Sequence, residues 1–357
     1  PDSLIVGVAK SESTLLLISE VISFPFDEGL KNIIYQLIKN FSVIGNILIV
    51  TKKGNNTDGL NVTKIKLNKL FLNNELRLLL KSYLPKVILY IPEASCTFNS
   101  FIRAKILKLI NRKSKVVMLA IQHRKYSFLF RTLLRFVRPD LLILIGKSDK
   151  LFFEKKQIKV KVLPPAVDNE RFHKVGIETK TFLRKKYGIP TNKTIVSHVG
   201  HIKISRNIKC LIDVQKMDNI QVIIVGSTST HADSDLKNLL ENQGIIVINS
   251  YLPDIQEIYQ ISDIYVFPVL EKYAAIEMPL SILEAMACNL PVITTRFGAL
   301  VEYFKEDAEF GYFNTKEELI ELINNIEKIE VNNDNKIKDF TWNKFVNEII
   351  STCRDLI

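Results

Sequence analysis

Pro279-Leu280-Ser281-Ile282-Leu283-Glu284-Ala285-Met286-Ala287 sets one carboxylate, Glu284, a turn inside a stretch of helical spacing that opens on a proline and a hydroxyl residue. Backbone N–H groups at a helix start attract anions, phosphates above all. A carboxylate one turn further in can accept hydrogen bonds from two neighbouring hydroxyls, such as those of a ribose. An amphipathic helix with one solvated acid has the same pattern, so residues 280–287 alone leave both readings open. Two apolar runs flank the segment. Asp263-Ile264-Tyr265-Val266-Phe267-Pro268 precedes it, and Pro291-Val292-Ile293-Thr294-Thr295-Arg296-Phe297-Gly298 follows it, ending in a polar turn with Glu302 beyond. A second chemical group is cationic. Between Glu93 and Asp140 there is no acid, while Arg103, Lys105, Lys108, Arg112, Lys113, Lys115, Arg124, Lys125, Arg131, Arg135 and Arg138 all fall there.

The elements that must position these groups alternate. Short branched apolar runs at 15–19, 47–51, 87–91, 116–121 and 141–145 read as buried parallel strands, with helical spacing over 29–41, 73–83, 99–109 and 128–137 between them. Beyond the breaker Pro164-Pro165 the alternation repeats. Strands are expected at 194–199, 221–225, 245–248, 264–268 and 291–295, and helices at 207–216, 233–243, 254–260 and 280–287. Residues 338–357 read as one amphipathic helix. Two β-α-β series imply an α/β chain of two Rossmann-like, doubly wound domains facing an interdomain cleft, with ligands beyond the carboxyl ends of the strands. The expected domains are 1–165 and 166–337, with the helix of 338–357 packing back on the first.

Composition narrows the class. The 357 residues carry a net charge of +11, placed unevenly: residues 1–165 hold 28 Lys/Arg against 11 Asp/Glu, the remainder 21 against 27. Something anionic is expected to face the first half. No apolar run is long enough to span a bilayer, and the start, interrupted by Lys10, Glu12 and Glu20, does not read as a signal peptide. The four cysteines, Cys96, Cys210, Cys288 and Cys353, form no Cys-x-x-Cys pair, and the five histidines show no ligand spacing, so no metal is expected. With no zinc-finger or RRM-like aromatic motif, a nucleic-acid partner is not expected either.

Leu283-Glu284-Ala285-Met286-Ala287-Cys288-Asn289-Leu290-Pro291-Val292-Ile293-Thr294 resembles, almost position by position, the "LEAMA-x-G-x-P-V-I-x-T" segment of glycosyltransferase family 4, the retaining group with the GT-B fold. The resemblance extends further. Pro165-Ala166-Val167-Asp168 with Phe172 looks like "N-G-V-D-x-x-x-F", residues 251–268 like "dl-x-x-lY-x-x-aD-v-f-v-f-P", Thr341-Trp342 like the family's "s-W", and the turn at Gly298 followed by Glu302 resembles the place of "G-x-x-E". It covers about 165–357 clearly and the first half loosely. Gly200, His201, Arg206 and Asn207 stand where the family has "G-R…K-G", with two cations embracing the donor diphosphate. Here histidine replaces the arginine and arginine the lysine. The family's first glutamate falls on Ile276, and Glu277 sits beside it.

The resemblance implies the site. Arg206 binds the diphosphate and Glu284 the ribose. His123 and Glu277 lie near the sugar. Gly29, Gly200, His201, Asn207, Met278, Pro279, Leu280 and Ser281 complete the donor contacts. His201, ordinarily half-charged near neutrality, suggests a pH-sensitive donor affinity. The implied reaction moves a hexose-type sugar from a UDP- or GDP-sugar to an acceptor hydroxyl with retention, with no cofactor or metal. Arg103, Arg124, Arg131 and Arg135 are expected on the acceptor side. In 126–138 the cations recur among aromatics as on an interfacial helix, although a core-facing helix with a solvated basic edge would read the same. The partners expected are a glycan or lipid-linked acceptor and an anionic membrane surface. The expected location is the cytoplasm, peripheral on the inner face of a membrane. Another GT-B enzyme, an epimerase or a phosphorylase, and a catalytically weak sugar-nucleotide-binding protein are the alternatives.

Overall fold

The computed structural model describes residues 15–44, 47–53, 62–93, 96–122, 124–326 and 331–357. They form two compact units. One holds the described residues up to Phe24, Leu30–Leu163 and Val346–Ile357; the other holds Pro25–Gly29 and Pro164–Phe345. The last helix, Trp342–Arg354, is shorter than the 338–357 expected, and its residues divide between the units after Phe345.

The first unit carries β1 (Leu15–Val21), β2 (Leu48–Lys53), β3 (Thr63–Lys64), β4 (Val87–Ile91), β5 (Lys115–Ala120), β6 (Leu141–Leu144) and β7 (Val160–Val162). All pair in parallel, in the order β3-β2-β1-β4-β5-β6-β7. The central strands are buried throughout because helices cover a parallel sheet on both faces, which is why they are uninterrupted runs such as Val-Ile-Leu-Tyr-Ile. Ile18, Val50, Ile88, Tyr90, Val116, Met118 and Leu142 pack one core face. The outermost strands β3 and β7 were not expected from the sequence. They are two and three residues long and each carries a lysine, as edge strands tend to, so no apolar run marks them.

The second unit carries β8 (Thr194–Val199), β9 (Ile220–Val225), β10 (Ile246–Ile248), β11 (Ile264–Phe267), β12 (Val292–Thr294) and β13 (Phe310–Tyr312), in the order β10-β9-β8-β11-β12-β13 and again all parallel. The strand order reverses between β8 and β11, where Ile264 pairs with Val196 and Tyr265 with Ser197. Loops leaving two adjacent strands in opposite directions open a crevice at that point, the usual ligand position of such sheets. Asp263, just before β11, is structural: its carboxylate accepts from Lys180 (2.6 Å), from Arg184 (2.5 Å) and from the Ile195 N–H (2.7 Å). It thereby fixes the helix Ile177–Lys186 and the start of β8 to the same strand.

Candidate functional site

The loop that follows β8 is built for close approach. The Gly200 N–H donates to Val225 O, and a Cβ at Gly200 would lie 3.0 Å from His198 Nε2 and 3.7 Å from Arg206 Nη1, so a side chain there would crowd both. Ile204–Arg206 forms a 3-10 turn and Asn207 takes φ 54°, a left-handed conformation that asparagine tolerates better than most residues. Its side chain donates to Pro268 O at 3.1 Å, joining the loops after β8 and β11 across the switch point. Gly200, Arg206 and Asn207 are thus brought together.

Arg206 is 8% exposed. Among the described residues its guanidinium makes no hydrogen bond or ion pair; Tyr265 and Glu28 act on it only through charge at longer range. Burial outweighs both and pulls its pKa down to about 10, which still leaves it charged near neutrality. A largely buried guanidinium has up to five donors, and with no protein acceptor among the described residues an anion with several oxygens would suit it.

His201 is not a second cation in the ligand-free protein. Its Nδ1 meets Thr230 Oγ1, and its Nε2 stands 3.7 Å from Glu28 Oε1. Burial, then the charges of Arg206 and Lys203, pull its pKa down to about 4, against an opposing pull from Asp27. The imidazole is therefore neutral from pH 6 upward. Before a ligand binds, solvation, which sequence spacing does not report, decides its charge and argues against the expected pH-sensitive donor affinity.

The helix Leu280–Ala287 begins at Pro279, whose side chain offers no capping oxygen. It ends in paired backbone bonds, Asn289 N–H to Met286 O (2.8 Å) and Leu290 N–H to Ala285 O (3.0 Å), a Schellman closure. Asn289 sits at φ 59°, which explains how asparagine can stand where the family pattern has glycine. On this helix Glu284 is 9% exposed, and Tyr259 Oη donates to its Oε2 at 2.7 Å. Burial raises the Glu284 pKa, while the Tyr259 bond and the Arg171 charge hold it down. One carboxylate oxygen is pinned by a phenol that sequence reasoning left unassigned. The solvated-acid reading of Glu284 is excluded by this burial.

Glu277, Met278, Pro279 and Leu280 are buried, and Ser281 partly so. Gly298 holds this stretch in place. It takes φ 54°, and a Cβ there would lie 2.2 Å from Glu277 O, while the next amide, Ala299 N–H, donates to that same oxygen at 2.9 Å. Only glycine permits the approach. Gly29 makes the corresponding approach to Ile276, whose Cδ1 would lie 2.6 Å from a Cβ. Beside it the Asp27 carboxylate accepts from the Thr228 N–H (2.6 Å), from Thr228 Oγ1 (2.7 Å) and from Ser229 Oγ.

In the first unit the expected acceptor-side cations divide. Arg103 is not available to an acceptor or a membrane: its Nη1 lies 2.6 Å from Glu20 Oε1 and 3.4 Å from Tyr90 Oη, and its Nε donates to Lys69 O at 2.8 Å. Arg131 and Arg135 are exposed and lie over the rings of Phe152 and Phe136. Arg124 is half-buried. The helix expected over 128–137 is an α-helix only over Phe128–Leu133, followed by a 3-10 turn over Leu134–Phe136, and of these residues only Leu134 is buried. Phe128 is 87% exposed and Leu129 61%, so the core-facing reading of this segment is excluded. His123 lies outside the described residues.

Two successive doubly wound parallel sheets with a crevice at the second switch point define the GT-B fold of glycosyltransferases. Residues 179–343 match the family described as glycosyl transferases group 1. A D-inositol 3-phosphate glycosyltransferase of Corynebacterium jeikeium is 26% identical over 156 residues, 40% of this chain and 36% of that protein. An alpha-galactosylglucosyldiacylglycerol synthase of Streptococcus pneumoniae is 26% identical over 143 residues, 38% of this chain and 37% of that protein. The matched stretch thus spans little more than a third of these curated relatives. In structure, the chain is similar to Anabaena Alr3699/HepE in complex with UDP, with a TM-score of 0.77 over 96% of this chain and 100% of that one at 15% identity. Among the described residues no helix is long and apolar enough to cross a membrane.

Proposed function

We propose that this chain is a retaining glycosyltransferase of family 4 that moves a hexose-type sugar from a UDP- or GDP-sugar to an acceptor hydroxyl. One observation carries the reading. Arg206, buried and without an acceptor among the described residues, stands at the switch point of the sheet that also presents Gly200 and a buried, Tyr259-held Glu284. Arg206 and the amides at the uncapped helix start take the diphosphate, Glu284 takes the ribose hydroxyls, and Glu277 and the 278–281 backbone meet the sugar. In the transfer the bond from the anomeric carbon to the phosphate oxygen breaks while the bond to the acceptor oxygen forms on the same face. The departing phosphate takes the acceptor proton. Preorganised donors stabilise the charge that develops on the phosphate, so neither a metal nor a protein nucleophile is required. The structure of Anabaena HepE with UDP supports a nucleotide at this fold's site.

The acceptor is read as lipid-linked or membrane-proximal. The exposed Phe128, Leu129, Phe130 and Phe136, interleaved with Arg131 and Arg135 in an acid-free stretch, form a surface that suits an anionic bilayer. The name of the streptococcal relative, a diacylglycerol glycolipid synthase, agrees with that choice. A hydrolysis and transfer screen over UDP- and GDP-sugars tests the reading, with Glu284→Ala alongside. Sugar release abolished by Glu284→Ala is the expected result. Release only in the presence of phosphate would point to a phosphorylase, and binding without release to an inactive sugar-nucleotide module.

A further inference from the structure

His198, on β8, has a complete account on one side of its ring and none on the other. Its Nδ1 lies 2.9 Å from Val266 O. A carbonyl only accepts, so Nδ1 carries the proton. Burial, with the Arg206 and His201 charges adding to it and the Val266 bond opposing, pulls the pKa of the ring down to about 4, so the ring is neutral near pH 7. Its Nε2 is then a bare lone pair. That atom is fully buried and has no hydrogen-bond partner among the described residues. A buried acceptor without a donor is uncommon in folded proteins and calls for a reason.

The missing donor stands close by. Gly200 lies beside both: His198 Nε2 is 3.0 Å and Arg206 Nη1 3.7 Å from the place its Cβ would occupy. On one side is a buried lone pair lacking a proton donor, on the other a guanidinium, 8% exposed, lacking a protein acceptor among the described residues, with the side chain that would separate them absent. We infer that His198 is a positioning residue for Arg206, its Nε2 accepting one N–H of the guanidinium when an anion occupies the others. The bond fixes the plane of the guanidinium, so its remaining N–H groups converge on the ligand instead of sampling rotamers. A phenylalanine in this place would fill the volume and leave Arg206 unoriented. The inference rests on the reading of Arg206 as the diphosphate ligand.

Calorimetric titration of the whole chain with UDP and with GDP tests it, in wild type, His198→Phe, His198→Gln, Arg206→Ala and His198→Phe/Arg206→Ala. His198→Phe is expected to weaken the nucleotide that binds by about tenfold, the effect of one hydrogen bond to a charged donor. His198→Gln, which restores an acceptor, should recover most of it. In the Arg206→Ala background His198→Phe should have no further effect, because there is no guanidinium left to orient. Wild-type affinity in His198→Phe, or an undiminished loss in the Arg206→Ala background, overturns the inference. Wild-type affinity in Arg206→Ala, or no binding of either nucleotide to the wild type, overturns the diphosphate reading itself and this inference with it. Should His198→Phe fail to fold, the imidazole ¹⁵N signals of the wild type decide: Nε2 must move from a free to a hydrogen-bonded lone pair on saturation with nucleotide, and an unmoved signal overturns the proposal.

Discussion

Arg103 in the first unit and Arg206 in the second are both withdrawn from solvent, and they have opposite surroundings. Arg103 meets Glu20, Tyr90 and the Lys69 carbonyl, and its guanidinium lies over the ring of Phe71. Burial alone would lower its pKa, but the Tyr90 and Glu20 contacts outweigh burial and raise it. Arg206 has no such contacts, burial prevails, and its pKa falls. One arginine is finished by the fold; the other is proposed to be completed by a ligand. Charge content alone ranks them the wrong way round, because the first half of the chain is the basic half and the site lies in the acidic one.

The comparison breaks most readily at Arg103. Arg103→Ala strands a buried carboxylate and phenol and should destabilise the protein by about 3–5 kcal/mol in denaturant unfolding, with nucleotide affinity unchanged at temperatures where it stays folded. Arg206→Ala should do the reverse, lowering sugar-transfer turnover by an amount equivalent to about 2–4 kcal/mol with little loss of stability, as steady-state kinetics can show. A third test uses protons. His198 and His201 have folded pKa values near 4, below the unfolded value, so the unfolded chain binds more protons between pH 6.5 and pH 4. Stability should be flat above pH 6.5 and fall as the pH drops toward 4, by on the order of 3 kcal/mol for the fully buried His198 alone. Nucleotide affinity should stay constant between pH 6.5 and 8. The smallest effect is expected from Phe128→Ser with Arg131→Gln: sedimentation with anionic liposomes should fall while hydrolysis of the free donor is unaltered. Equal sedimentation of wild type with neutral and anionic liposomes would remove the membrane surface from the account.

Much of this was legible in the sequence where one physical requirement dominates. Buried parallel strands are rich in apolar residues, so 87–91, apolar throughout, and 194–199, apolar at three of six positions, were delimited to the residue. The helix at 280–287 was delimited equally well, between a proline and a left-handed asparagine. Edge strands β3 and β7 escaped because nothing forces two or three half-covered residues to be apolar, and the buried β13 because three residues with a central glycine are too short a run to mark a strand. In the site, residue type gave Glu284 and Arg206 their chemistry. It could not say that Tyr259 holds one and that no described residue bonds the other, since partners come from segments far apart in the chain. His198 was missed for a related reason. An imidazole inside an apolar strand reads as a filled core position, and the only signal was its place at the end of the strand beside Gly200.

In the proposed function Arg206 is a largely buried cation kept without a partner among the described residues for an anionic ligand. Thermal melting of wild type and Arg206→Met, each with and without UDP or GDP, tests it most directly. Replacing an unpaired buried charge by an apolar side chain of similar length should raise the melting temperature of the ligand-free protein, by the equivalent of about 1–2 kcal/mol, and abolish the nucleotide-induced rise. A ligand-free melting temperature that falls, together with a nucleotide-induced rise that persists, would contradict the account.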